Sequence, residues 1–157
     1  MKPNIGITAG NLEKGAHALN AILADEFVLY TKTRNAHWNV EGPDFHSMLL
    51  FFESQYEALD ETMDSVAERI RALGHYAPAT LKSFLSLTHL SEQLHEKNTS
   101  EGFIKELLSD HESLIIHLRE NINYFADELK DAGTSDFLTG LMEGHEKTAW
   151  MLRSHLK

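Results

Sequence analysis

The sequence lacks cysteine altogether, has only 3 prolines and contains no run of eighteen apolar residues. Without cysteine, disulfides, thiolate metal sites and cysteine nucleophiles are all excluded. Without a long apolar run there is no membrane span, and the amino terminus lacks the apolar core of a signal peptide. The 157 residues are enough for one domain and too few for two. We therefore expect a single-domain cytoplasmic protein with no membrane partner.

Basic residues are also scarce, because 14 Lys and Arg face 24 Asp and Glu and leave a formal net charge of −10. Affinity for phosphate depends on clustered basic residues, so this balance argues against nucleic acid as a major partner. It favours the attraction of cations, although ordinary solubility accounts for it equally well. Residues 1–10 carry a single basic residue, Lys2. We interpret them as a short flexible arm that precedes one helical domain at 11–157.

Apolar residues recur at three- and four-residue steps along most of the chain, which is the helical period. The pattern predicts four long helices: 11–38 with Asn11 as its cap, 45–73, 99–130, and a last one after a cap at Thr134 or Ser135. Residues 75–98 join the second of these helices to the third, and their apolar middle indicates a short helix. A connection of this length indicates a crossover that spans a bundle.

The second long helix carries acidic residues at informative intervals. At 100° per residue, Glu53 and Asp64 lie about 20° apart around the axis, and Glu68 lies about 40° further on. Along the axis, however, Glu53 and Asp64 are about 16 Å apart, too far to share a metal ion whose ligand bonds are near 2 Å. Two copies of the helix crossing antiparallel about a two-fold axis would bring Glu53 of one chain beside Asp64 and Glu68 of the other.

This arrangement predicts a pair of metal sites at a homodimer interface, to which His37 adds a nitrogen from the preceding helix. Mixed histidine and carboxylate ligation suits iron, manganese or zinc better than calcium or copper. The competing interpretation is that a charged stripe on a helix is solvated surface.

Three pieces of this sequence, HWNVEGPDF from His37, the later Glu53 and DSVAERIRALG from Asp64, resemble the motifs of the Dps family, the small ferritin-like proteins of bacteria. The resemblance covers nearly the whole chain. It implies an all-α, ferritin-like four-helix bundle and a hollow dodecamer built from two-fold dimers. It also implies a ferroxidase centre shared by two subunits, which oxidises Fe(II), preferably with hydrogen peroxide, and stores Fe(III) as mineral, protecting against oxidative damage. By motif position, His37, Glu53, Asp64 and Glu68 are the expected catalytic iron ligands.

One position departs from the family pattern, which usually has a second histidine twelve residues after the first. Here that position is Leu49, whose hydrocarbon side chain cannot coordinate a metal. His46 lies one turn earlier and is the alternative ligand, although it is also readily explained as an exposed residue of a first helical turn. We expect one firm iron site in each half of the interface and a second that is weak or held by water.

The resemblance also implies acidic pores at a three-fold axis, for which Asp136 is the best candidate, with Asp127 and Asp131 behind it. Acidic residues in a first helical turn are equally explained by the helix dipole. His111 and His117 are most simply surface or core-edge residues.

Three other functions were weighed against a ferroxidase. A ferritin with its di-iron site inside one bundle needs two Glu-x-x-His pairs, and this sequence has only Glu92 to His95 at that spacing. A nucleoid DNA-binding protein would need a basic tail, which is missing. A cage that sequesters iron with impaired ferroxidase activity remains open, because of Leu49.

Overall fold

The computed structural model describes residues 3–92 and 98–157, which form five α-helices and one π-helical turn. The elements are α1 (Ala9–Asn39), α2 (Phe45–Ala72), α3 (Leu81–Leu87), α4 (Ser100–Asn123), the π-helical turn (Tyr124–Glu128) and α5 (Ala132–Ser154). The four long helices pair as α1 with α2 and α4 with α5, and α1 also packs against α3 and α4. The predicted all-α four-helix bundle, with a short helix in the crossover, is confirmed. No helix in the described part of the chain is long and apolar enough to cross a membrane.

The core fills the space between the two helix pairs. Phe52 of α2 and Phe103 of α4 are both fully buried and meet edge to face, with ring centroids 6.3 Å apart. Leu19 and Leu118, on α1 and α4, are also fully buried. Burying a side chain of this size contributes about 1.5–3 kcal/mol relative to leaving it exposed. Apolar residues that recur at the helical period in the sequence therefore form the core between the two helix pairs.

The first helix begins two residues earlier than predicted. The hydroxyl of Thr8 accepts the backbone N–H of Asn11 at 3.3 Å, so Thr8 is the cap. The side chain of Asn11 instead donates to the carbonyl of Leu129, 3.0 Å away. The assignment of Asn11 as the cap was wrong because its amide binds a distant part of the chain. As a result, Ala9 and Gly10 of the predicted arm are helical.

The last helix also begins earlier than predicted. The carboxylate of Asp131 accepts the backbone N–H of Thr134 at 3.0 Å, so Asp131 is the cap and α5 begins at Ala132. The assignment of Thr134 or Ser135 as the cap was wrong, because a carboxylate three residues upstream already takes the free N–H.

A glycine follows the end of α2. Gly74 has φ +86°, a left-handed conformation that glycine adopts without strain. A Cβ at this position would lie 2.5 Å from Cδ of Pro3. Both the turn and the close approach of Pro3 therefore require glycine here, and the described part of the arm packs on the end of α2.

Candidate metal centre

His37 lies half-buried in the last turn of α1, beside the start of α2. Its Nδ1 atom is 2.9 Å from the backbone carbonyl oxygen of Leu49. A carbonyl can only accept, so Nδ1 carries the hydrogen and donates it. Nε2 then keeps its lone pair, and this is the state in which a histidine binds a metal. The chain therefore fixes the orientation and tautomer of His37 before any metal arrives.

Glu53 lies half-buried on α2, and the residue that connects it to His37 is Tyr56. The hydroxyl of Tyr56 donates to Oε1 of Glu53 at 3.2 Å, and the Tyr56 ring meets the His37 ring edge to face, with centroids 5.2 Å apart. Desolvation and the neighbouring Glu53 carboxylate raise the pKa of Tyr56, so its hydroxyl stays a donor at neutral pH. His37 and Glu53 therefore flank one aromatic ring.

Tyr56 was not among the residues predicted from the sequence to belong to the site. Its spacing of three residues from Glu53 is the signal that could have identified the contact. Arg34 was missed as well. Its guanidinium carbon lies 4.2 Å from the centroid of the Tyr56 ring and 4.9 Å from that of the Trp38 ring. Arg34 therefore makes cation–π contacts with both rings.

Asp64 and Glu68 lie further along α2, and both are exposed. Because α2 is unbroken from Phe45 to Ala72, the helical rise separates Asp64 from Glu53 by about 16 Å. Within one chain His37 and Glu53 both contact Tyr56, whereas Asp64 and Glu68 lie farther along α2. The four predicted iron ligands therefore lie in two separate pairs on the hairpin of α1 and α2.

Comparison with known proteins identifies the family to which the chain belongs. Residues 16–157 match the family described as the ferritin-like domain. The DNA protection during starvation protein 2 of Bacillus anthracis is 37% identical over 88% of this chain and 93% of its own length. The chain belongs to the Dps family of ferritin-like proteins.

Two further relatives agree with the Dps assignment. The crystal structure of a Dps protein from Vibrio cholerae, described as a member of a broad superfamily of ferritin-like diiron-carboxylate proteins, superposes with a TM-score of 0.92. It is 29% identical, and the match covers 100% of this chain and 98% of that one. An uncharacterised low temperature-induced protein of Nostoc is 44% identical over 98% of this chain and 86% of its own length. The family resemblance read from the sequence is confirmed.

Leu49, where a second Dps histidine was expected, is half-buried and contributes only its backbone carbonyl to the centre. His46 is exposed in the first turn of α2. Three large apolar side chains near this end of the hairpin are exposed as well: Trp38 at 66%, Phe45 at 45% and Leu50 at 50%. The surroundings of His37 on a single Dps chain are therefore unusually apolar for a solvent-facing surface.

One of the three predicted pore residues has a different role. Asp131 is only 5% exposed, and its Oδ1 lies 3.2 Å from Nη2 of Arg69. It also caps α5, so its assignment to a pore was wrong, because the helix cap and the buried ion pair use both of its oxygens. Asp127 and Asp136 are exposed, and their assignment to a pore stays a prediction.

A second polar cluster lies inside the bundle and was missed by sequence analysis. Glu26 of α1 and His145 of α5 are 0% and 5% exposed, and Oε1 of Glu26 is 2.8 Å from Nε2 of His145. Nδ1 of His145 is 2.9 Å from Nδ1 of His111 on α4. His111 is 1% exposed, so its prediction as a surface or core-edge residue was wrong. Glu26 precedes His111 by 85 residues and His145 by 119 residues. No spacing rule connects residues so far apart in the sequence.

The hydrogen bonds of this cluster connect three buried groups in a chain, from Glu26 through His145 to His111. Nε2 of His111, at the end of this chain, is buried without a partner in the described residues. Burial and the neighbouring His145 hold the pKa of His111 well below its ordinary value of 6.5, so this ring is neutral at neutral pH.

A cavity of about 140 Å³ adjoins the cluster and is lined in part by Gln55, His111 and His145. The amide oxygen and nitrogen of Gln55 are also buried without partners in the described residues. Such a volume is sufficient for ordered water, which would satisfy these groups. An intrachain di-iron site needs several carboxylates, whereas this cluster has only Glu26. His95, the other half of the single Glu-x-x-His spacing, lies outside the described residues.

Proposed function

We propose that this Dps protein is a cytoplasmic ferroxidase that oxidises Fe(II) at a centre shared by two chains and stores Fe(III) as mineral inside a cage. The observation that carries the proposal is the hydrogen bond from Nδ1 of His37 to the Leu49 carbonyl. It leaves Nε2 free to bind a metal, close to the Glu53 carboxylate. A histidine whose only role was to cap a helix would not need this tautomer.

The partner chain would supply the remaining ligands. Antiparallel pairing of two α2 helices about a two-fold axis brings Asp64 and Glu68 of one chain towards His37 and Glu53 of the other. The exposure of Asp64 and Glu68 supports this pairing, since both are free to meet a second chain. The exposed apolar side chains around His37 support it as well, because a second chain would remove them from water. By family membership we propose that six such dimers form the dodecamer.

The chemistry of the donor set fits iron as the substrate. Carboxylate oxygens and one imidazole bind Fe(II), and the anionic oxygens favour the more highly charged Fe(III) product. Two Fe(II) ions each give one electron to hydrogen peroxide, which takes up two protons and becomes two molecules of water. Accepting the electrons in a pair avoids the release of a hydroxyl radical. The net charge of −10 favours the attraction of iron to the cage, and it opposes a role in binding DNA.

Rapid mixing of the purified assembly with Fe(II), first with peroxide and then with oxygen, tests the proposal. We expect fast growth of Fe(III) absorbance with about one peroxide consumed per two irons, by electron balance. Binding of Fe(II) without oxidation above the rate in buffer would instead favour the cage that only sequesters iron. Leu49 is the specific reason to keep this second candidate, since a hydrocarbon side chain stands where a ligand is expected.

Restoring the missing ligand is expected to accelerate the reaction. The Leu49→His variant should oxidise Fe(II) with peroxide about 10-fold faster than the parent, because it adds a nitrogen ligand within reach of the second iron position. Leu50→His is the matched control: it adds the same side chain to the same helix turn, about 100° further around the axis. Equal rates for parent and Leu49→His, or equal acceleration by Leu50→His, would contradict the assigned position of the second iron.

A further inference from the structure

Three metal-binding side chains meet at a place that the ferroxidase centre does not use. They come from three parts of the chain: Asp25 from α1, His89 from the segment after α3, and His117 from α4. Their ligand atoms all lie within 4.8 Å of one another, and in the described part of the chain no other set of three histidine or acidic residues meets in this way. The residues 37, 53, 64 and 68 of the ferroxidase proposal are not among them.

The distances within this cluster match those between the ligands of one metal ion. Oδ2 of Asp25 is 3.1 Å from Nδ1 of His89 and 3.4 Å from Nδ1 of His117. Ligands bound tetrahedrally to zinc at 2.0–2.1 Å are about 3.3–3.4 Å apart. The ligand atoms of the two histidines lie within 4.8 Å of each other, so one ion can be placed between all three side chains.

The environment of Asp25 orients its carboxylate for such a role. Its other oxygen, Oδ1, accepts from the hydroxyl of Thr88 at 2.7 Å and from the backbone N–H of His89 at 2.6 Å. Burial by itself raises the pKa of Asp25, but its contacts with His117, Thr88 and His89 hold that pKa below the ordinary value of 3.8. The carboxylate is therefore ionised and pinned through one oxygen, and the second oxygen faces both imidazoles. Hydrogen bonds of this kind fix the ligands of natural metal sites.

His89 makes a hydrogen bond to Asp25, but His117 is poorly explained as a partner of Asp25 alone. Nδ1 of His117 is buried and makes no hydrogen bond in the described residues, although the carboxylate oxygen is 3.4 Å away. The rings of His89 and His117 have centroids 4.3 Å apart, so both imidazoles lie beside the same carboxylate oxygen. A metal ion between the three side chains would bind the buried Nδ1 of His117.

We propose that Asp25, His89 and His117 bind one divalent transition-metal ion of the zinc class in each subunit, at a site separate from the ferroxidase centre. Two histidines and one carboxylate are a common ligand set for such ions, with a position left for water. The 59% exposure of the His89 side chain gives the ion a path from solvent. Because the ligands come from α1, α4 and the segment after α3, the bound ion ties the crossover to the bundle.

Crystals of the whole assembly soaked in zinc test the proposal directly. We expect an anomalous-scattering peak in each subunit between the three side chains. The His89→Gln variant should lose the peak and bind zinc about 100-fold more weakly at this site. Asp25→Asn provides a second variant, since its amide oxygen still accepts from Thr88 while its other end no longer binds a cation. His17→Gln is the control, because it removes an exposed histidine of the same helix α1 and should leave the peak in place.

Thermal unfolding provides a second test of the zinc site, in solution. Saturating zinc should raise the melting temperature of the parent and of His17→Gln more than that of His89→Gln. Iron oxidation by His89→Gln should match the parent, so the two proposals can fail independently. Absence of the peak in parent crystals, or a full peak in either His89→Gln or Asp25→Asn, would overturn the zinc site.

Discussion

The double variant Asp64→Asn with Glu68→Gln is expected to oxidise Fe(II) about 100-fold more slowly than the parent. In the proposed shared centre, iron then loses the two carboxylates that come from the other chain. Amide oxygens are uncharged, so they bind Fe(II) more weakly and favour the Fe(III) product less. Both side chains are exposed on α2 and contribute little to the core of one chain. The initial rate of Fe(III) formation after rapid mixing with peroxide measures the effect.

The matched control for this variant is the pair Glu120→Gln and Glu143→Gln. It removes the same two negative charges from exposed positions on α4 and α5, so any general effect of net charge on iron attraction is shared. We expect its initial rate to stay within about twofold of the parent, because exposed charges are screened by salt. A similar slowing in both double variants would mean that Asp64 and Glu68 act only through overall charge.

Replacing His145 by Leu is expected to lower the free energy of unfolding by about 3 kcal/mol, the upper end of the range for leaving a buried hydrogen-bonding group without its partner. Glu26 is fully buried, and its hydrogen bond of 2.8 Å to His145 is lost. His111 loses its hydrogen bond with His145 at the same time. Denaturant unfolding at one fixed protein concentration measures the change.

Removing both partners should cost less than removing one. In the double variant Glu26→Leu with His145→Leu, no buried carboxylate remains, so we expect a smaller loss than for His145→Leu alone. The surface pair of Arg119 and Glu146, whose side chains are 59% and 43% exposed, provides the comparison. Arg119→Met should cost less than about 1 kcal/mol. If His145→Leu were as mild as Arg119→Met, the bundle centre would not depend on this pair.

Local patterns in the sequence were sufficient to predict the helices, and they place two of the proposed iron ligands on neighbouring helices. The apolar period of residues 45–73 predicted the length of α2, because that pattern is local. His37 and Glu53 come together because they flank a short turn, so their proximity follows from the hairpin itself.

Features that depend on distant parts of the chain could not be predicted in the same way. Asn11 looks like a helix cap, but its side chain binds Leu129, so Thr8 takes that role. Glu26 of α1 contacts His145 of α5, 119 residues away, and His145 contacts His111 of α4, and no periodic pattern relates the three. Such clusters become visible only when the packing of the four helices is known.

A mixed assembly of two complementary variants tests the shared centre most directly. One chain carries His37→Ala with Glu53→Gln, and the other carries Asp64→Asn with Glu68→Gln. A dimer of the two has one site with every ligand changed and one site with every ligand intact. Random pairing makes half of the dimers mixed, so about one quarter of the sites are intact. We expect the mixed assembly to recover about a quarter of the parent rate of Fe(II) oxidation, whereas a rate no higher than that of either variant alone would contradict a centre built from two chains.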